Sequence, residues 1–254
     1  MDAIIEVADV TKTFHIPSVR RSTVREHALD LFRPRPATPL RVLDSVTFEV
    51  HRGETVGIMG RNGSGKSTLL KIVAGIYTAD RGRVSVRAPV TPILELGVGW
   101  HPELDAVDNI LLAATVLGLS LREARAAIEA ILDFAELAPF AHLKLLHYST
   151  GISARLAYAV AFHAVREILI IDEVFAVGDL GFRAKCEVRH RALAAQGHTV
   201  VVVSHDPRIV RNFCDRAVLL EGGRVKAAGD PGEVVKAYLA VTGAPPSAAP
   251  EETT

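Results

Sequence analysis

Apolar and polar residues alternate over 3–10 (AIIEVADV) and again over 42–50 (VLDSVTFEV), the period of a strand with one buried face. Residues 54–60 (ETVGIMG) read as a buried strand entering a glycine-rich turn, 67–76 (STLLKIVAGI) as a helix, and 80–86 (DRGRVSV) as a turn and a strand. From about 101 to 165 the period becomes helical: LLAATVLGL, LREARAAIEAILDFAEL and ISARLAYAVAFHAV are rich in helix formers. Two strongly apolar strands follow, EILIID and HTVVVVSHD, separated by a helix at roughly 180–196. Alternating strands and helices predict an α/β domain with a parallel sheet, into which the 101–165 segment is inserted as a helical lobe.

Two stretches fall outside this pattern. Between the first two strands lies HIPSVRRSTVREHALDLFRPRPATPLR, six arginines opposed by Glu26 and Asp30, whose prolines forbid a long helix. A short helix over 23–32 would place Val24, Ala28, Leu31 and Phe32 on one face. This basic insertion, about 16–41, reads either as a solvated loop or as an amphipathic contact element near lipid headgroups. The final residues, 241–254, are Pro-, Ala- and Thr-rich with no core-forming pattern and are predicted to be a disordered tail.

Composition narrows the classes. Lys+Arg 29 against Asp+Glu 29 gives no net field to recruit nucleic acid, so no nucleic-acid partner is expected. Two cysteines, Cys186 and Cys214, cannot staple a secreted scaffold and lack zinc-site spacing, and the ten histidines form no HExxH. No export signal opens the chain, and its apolar runs fall short of the ~20 residues a bilayer needs. The expectation is a cytoplasmic protein, peripheral to the inner membrane only through a spanning partner.

The chemistry is concentrated in three places. Gly60-Arg61-Asn62-Gly63-Ser64-Gly65-Lys66-Ser67 matches GxxxxGKS, with Thr68 next in the helix. Glycines let consecutive backbone N–H groups converge on phosphate oxygens at a helix N-terminus, Lys66 can reach the β/γ-phosphates, and the Ser67 hydroxyl can ligate Mg²⁺. Second, the apolar strand ILII ends in Asp172-Glu173, at the sheet edge where α/β ligands bind. Asp172 would hold Mg²⁺ mainly through its waters, and Glu173 would polarise an attacking water. Third, Ser204-His205 ends a buried strand, which makes His205 a candidate γ-phosphate sensor.

The order of phosphate loop, helical insertion, Tyr148-Ser149-Thr150-Gly151-Ile152, ILIIDE, Ala176-Val177-Gly178-Asp179 and Ser204-His205 resembles the nucleotide-binding subunit of ABC transporters over residues 3–240. The resemblance implies a P-loop NTPase fold: a mainly parallel core sheet, an antiparallel β subdomain and an inserted helical subdomain. It implies ATP with Mg²⁺, and two chains stacked head to tail. Ser149 and Gly151 of one chain then meet the γ-phosphate held by the other, favoured by a helix N-terminus. Asp179 matches the loop along the dimer seam. Phe14 takes the place of the adenine-stacking aromatic, or else is strand-end core.

Departures from the family pattern point further. YSTGI stands where LSGGQ is usual, and the single glutamine of the chain, Gln196, lies far from the place of the family's glutamine loop, where Glu95 is the nearest metal-side candidate. The YS-x-G signature, the ELG-x-G-x-HPEL segment, the AVGD loop and the basic insertion together resemble the exporters of lipid-linked polysaccharide: O-antigen, teichoic acid and galactan. That implies a homodimer beneath two permease chains, moving a polyprenyl-diphosphate-linked glycan handled mainly by the permease. Arginine outnumbers lysine 22 to 7, a sign of a GC-rich source, which turns the expectation towards cell-wall galactan. The alternatives are the ATPase of a drug exporter or importer, a non-transport ATPase with the same head, and a binding module without turnover.

Overall fold

The computed structural model describes residues 2–17, 37–94, 99–172 and 178–243. In chain order, β1 (Ala3–Pro17), β2 (Ala37–His51) and β3 (Thr55–Met59) lead to α1 (Lys66–Val73), β4 (Arg81–Val86) and β5 (Val90–Ile93). Three helices follow: α2 (Ala106–Val116), α3 (Leu121–Ala135) and α4 (Thr150–His163). The chain then alternates through β6 (Ile168–Asp172), α5 (Leu180–Ala195), β7 (Thr199–Val203), α6 (Pro207–Phe213), β8 (Arg216–Glu221), β9 (Arg224–Gly229) and α7 (Pro231–Thr242).

Two sheets form. One is antiparallel, ordered β2-β1-β4, and the other is ordered β5-β6-β7-β3-β8-β9, parallel except for β9. The parallel strands are continuous apolar runs because both their faces are covered, and β3 and β7 are buried at every position. Ile5, Val7, Leu43 and Val46 of the antiparallel sheet share one core with Leu70 of α1 and Ile58, Ile170 and Val203 of the parallel sheet. Since β7 lies between β6 and β3, the segments that follow these three strands emerge side by side at one sheet edge.

Three boundaries differ from the sequence expectation. The first strand runs through Pro17 rather than stopping at residue 10, and the second begins at Ala37 rather than 42. Register shifts near Val10 and Lys12 absorb the broken alternation, with Asp9 in the left-handed region (φ 53°) and its amide donating to Thr47 Oγ1 at 2.9 Å. Asp80 then anchors the extension, accepting from the Thr13 amide at 2.6 Å and Lys12 Nζ at 2.8 Å. Both ends of the basic insertion are therefore strand, and its helix expected over 23–32 lies outside the described residues. At the other end, α7 continues to Thr242, past the expected start of the tail at 241, and residues 244–254 also lie outside.

The helical lobe has its own core of Ile110, Ala114, Ile131, Leu132, Leu156 and Val160. Ser120 and Glu123 cap α3 reciprocally, satisfying backbone groups that would otherwise lack partners. Buried Asn109 accepts from the His101 amide at 2.7 Å and donates to the carbonyls of His101, Leu104 and Asp105, which fixes the approach to α2.

Candidate functional site

The glycine-rich turn joins β3 to α1 and wraps a lysine. Lys66 Nζ donates to the Gly60 carbonyl at 2.7 Å and the Arg61 carbonyl at 3.0 Å, so the ammonium is held inside the loop it belongs to. Gly65 caps α1 with φ 103°, and a Cβ there would meet Leu43 Cδ2 at 2.7 Å and the Val42 carbonyl at 2.8 Å. A Cβ on Gly63 would meet nothing within 4 Å, so that glycine answers to its φ of 79° rather than to crowding. Ser64 Oγ is buried with no hydrogen-bond partner among the described residues. Replacing Gly65 with Ala forces both strain and overlap, with an expected loss of roughly 2–4 kcal/mol. Urea unfolding measures it, and an unchanged midpoint would contradict this packing.

Asp172 ends β6 at the same edge, and Ser67 Oγ donates to its Oδ2 at 2.9 Å. A hydroxyl and a carboxylate, both hard oxygen donors, thus stand together at the mouth of the loop, a pair suited to Mg²⁺. Among the described residues no group of three or more His, Cys, Asp or Glu gathers as a protein-only metal cage. Burial pushes the Cys186 and Cys214 thiols up to about 12, which keeps both protonated at neutral pH and removes them as ligands or nucleophiles.

A cleft of about 710 Å³ opens over this edge, lined by Asn62, Gly63, Gly65, Lys66, Ser67 and Thr68, by Asp172, and by Leu40, Val42, Ile93, Leu94 and Tyr158. Phe14 is not among these side chains. Its ring packs edge-to-face on Tyr77 at 5.7 Å, and its β2 partner Leu40 takes a place on the cleft wall. The Phe14 ring thus lies on β1 beside Leu40 of the cleft wall. His205 follows β7 and lines a neighbouring hollow with Gly60, Arg61 and Asn62 of the loop.

Ser149 and Gly151 lie elsewhere. Ser149 caps α4, accepting from the Ile152 amide at 3.3 Å, and Ser149, Thr150 and Gly151 are all exposed. A helix N-terminus facing solvent is an anion site in search of an anion. Asp179 caps α5, accepting from the Phe182 amide at 2.9 Å. That bond and the ion pair with Arg155 hold its carboxyl below the usual range. Arg155, on α4, also pairs with Glu136 at 3.2 Å and stacks over Phe182 at 5.2 Å. Glu173, Glu95 and the Ala176-Val177 half of the seam loop lie outside the described residues.

Leu40, Val42, Tyr158 and Arg155 were missed by sequence reasoning. Leu40 sits in a stretch that reads as loop, and Tyr158 in a helix that reads as uniform core. The one available signal was that Tyr158 is the single polar-tipped residue between Arg155 and His163.

The arrangement defines a phosphate-binding loop beside a hydroxyl–carboxylate pair at the edge of a parallel sheet, the site of a nucleoside triphosphatase. The sequence profile of the ABC transporter family matches residues 43–176. The O-antigen export system ATP-binding protein RfbB of Klebsiella pneumoniae is 38% identical over 242 residues, covering 94% of this chain and 98% of that protein. RfbB of Myxococcus xanthus is 40% identical over 244 residues, 94% of this chain but 56% of the relative. The teichoic acids export ATP-binding protein TagH of Lactococcus lactis is 34% identical over 234 residues, 92% of this chain and 50% of the relative. This chain thus spans about half the length of the Myxococcus and Lactococcus proteins. Among solved structures, a dimeric ATP-binding cassette in a post-hydrolysis state with ADP and Pi superposes with a TM-score of 0.71 at 25% identity, covering 89% of this chain and 98% of that one. The ATP-binding subunit of an ABC transporter gives 0.73 at 26%, covering 95% and 94%. The chain belongs to the ABC transporter family and is an ATPase cassette of it.

Proposed function

We propose that the chain is the ATP-hydrolysing subunit of an exporter of lipid-linked polysaccharide, working as a homodimer beneath two permease chains. The observation that carries the motor reading is the Ser67–Asp172 contact at 2.9 Å beside a loop-enclosed Lys66. In this reading the loop amides and Lys66 grip the β- and γ-phosphates, Leu40 and Val42 give the base an apolar wall, and Ser67 and Asp172 hold Mg²⁺. Bound Mg²⁺ neutralises charge that builds on the phosphates in the transition state. Glu173 orients and deprotonates the attacking water, and His205 meets the γ-phosphate.

The cleft is lined without Ser149 or Gly151, which supports a site completed by a second copy: the exposed N-terminus of α4 covers the phosphates of its partner, with Asp179 along the seam. ATP binding closes the pair, hydrolysis reopens it, and the lobe near Trp100–Asn109 passes the motion to the permease. No helix among the described residues is long and apolar enough to cross a membrane. In this reading attachment at the cytoplasmic face falls to the permease.

The cargo is read from similarity. The export names of the Klebsiella and Lactococcus relatives support a polysaccharide. A polyprenyl-diphosphate carrier and a cell-wall galactan are the finer form of the proposal, the latter resting on the arginine bias alone. Purification with the co-purifying permease and mass spectrometry of any bound glycolipid tests this. A polyprenyl-diphosphate glycan is expected, whereas a peptide, drug or solute-binding partner would overturn the export reading and leave the ATPase standing.

A further inference from the structure

The nucleotide cleft is shared between the two sheets. Leu40 and Val42 stand on β2 of the antiparallel sheet, whereas the phosphate loop follows β3 of the parallel one. The turn between β8 and β9, Gly222-Gly223, is wedged between these halves. The Gly223 amide donates to the Ser64 carbonyl of the loop at 3.2 Å, and its carbonyl accepts from the Asp44 amide of β2 at 2.8 Å. One residue therefore bonds to the phosphate side and to the wall side of the same cleft. Gly223 has φ 77°, and a Cβ there would stand 2.5 Å from the Val42 carbonyl oxygen, about 1 Å inside ordinary contact. A Cβ on Gly65 would strike the same carbonyl, so two glycines close on it, one from the loop and one from the turn. Arg224, next in the chain, adds an ion pair to Asp44, its Nε donating to Oδ2 at 2.8 Å. Gly222 shares the left-handed backbone at φ 54°, yet a Cβ on it would meet nothing within 4 Å.

We propose that Gly223 is a positioning residue that sets the distance between the base wall and the phosphate loop, so that one nucleotide spans both. A nucleoside triphosphate is a two-headed ligand: base and phosphates reinforce each other only when their two subsites lie at the right spacing. The sheets that carry these subsites share a core, and the two Gly223 hydrogen bonds tie them together at the rim of the cleft. Only a residue without a side chain fits there, because a Cβ would push β2 away from the turn. The inference rests on the reading of Leu40 and Val42 as the base wall. It adds the element that holds this wall in register with the loop.

Whole and fragment ligands test this on the full chain carrying Gly223→Ala: ATP, adenosine and tripolyphosphate, each titrated calorimetrically with Mg²⁺. Displacing the wall by about 1 Å should weaken ATP about tenfold or more, while adenosine and tripolyphosphate stay within about twofold of the parent. Parent affinity for ATP would overturn the inference. So would equal weakening of all three ligands, which marks a damaged fold. Gly222→Ala strains the same turn without touching Val42 and should bind ATP like the parent. If it weakens ATP as much as Gly223→Ala does, turn strain is the cause and the inference falls. Should Gly223→Ala not fold, Arg224→Ala decides. It loosens the turn from β2 by one exposed ion pair, and ATP should weaken about two- to fivefold with both fragments unchanged. Parent ATP affinity in that variant would refute the proposal. Failure of the underlying reading looks different, because the parent chain itself would then bind tripolyphosphate as tightly as ATP.

Discussion

Glu173→Gln is expected to bind ATP and not hydrolyse it. The amide is close to isosteric with the carboxylate and cannot accept the water's proton. A positioned base is worth about 10²–10⁴ in rate, so kcat should fall by that factor. The dissociation constant for ATP should move less than about threefold, since the proposal assigns the phosphate grip to the loop and Lys66. Single-turnover hydrolysis beside equilibrium binding separates the two effects. A variant that hydrolyses ATP at the parent rate removes Glu173 from the mechanism and makes Asp172, its neighbour in sequence, the residue to re-examine.

Lys66→Ala should have the opposite signature, with binding lost before chemistry is reached. In the structure the ammonium is committed to the Gly60 and Arg61 carbonyls, so its removal takes away charge and also the staple that gives the loop its shape. One charge-assisted contact contributes about 1.5–3 kcal/mol, or about ten- to hundredfold in affinity. Distortion of the loop adds to that. Titration with ATP and, separately, with adenosine distinguishes the causes: adenosine binding should be unaffected if Leu40 and Val42 form the base wall. Equal weakening of both ligands would place the damage in the fold.

The phosphate loop and Asp172 were legible in the sequence because their chemistry is written locally. Gly65 must be glycine to hold φ 103° against Leu43, and an apolar run ending in an acid places that acid at a sheet edge whatever surrounds it. The parallel sheet was legible for a similar reason, since runs such as TVVVV fit only strands covered on both faces. Cross-strand and interhelical choices were not legible. Phe14 faces Tyr77, 63 residues on, and nothing near either residue announces the pairing. Arg155 and Asp179 belong to different helices, and the sequence could not foretell that α4 would lie against the start of α5. The strands beyond residue 10 and before 42 broke alternation, and only the partner strand and Asp80 make them regular.

The central claim is that one chain supplies half of each nucleotide site. Light scattering on Glu173→Gln with Mg²⁺ and ATP tests it most directly. A species of twice the 27.3 kDa chain mass should form only with ATP, hold one nucleotide per chain, and fail to form when Gly151→Asp sets a carboxylate against the phosphates. A chain that stays single while retaining ATP at full stoichiometry, or a dimer indifferent to Gly151→Asp, would contradict the account.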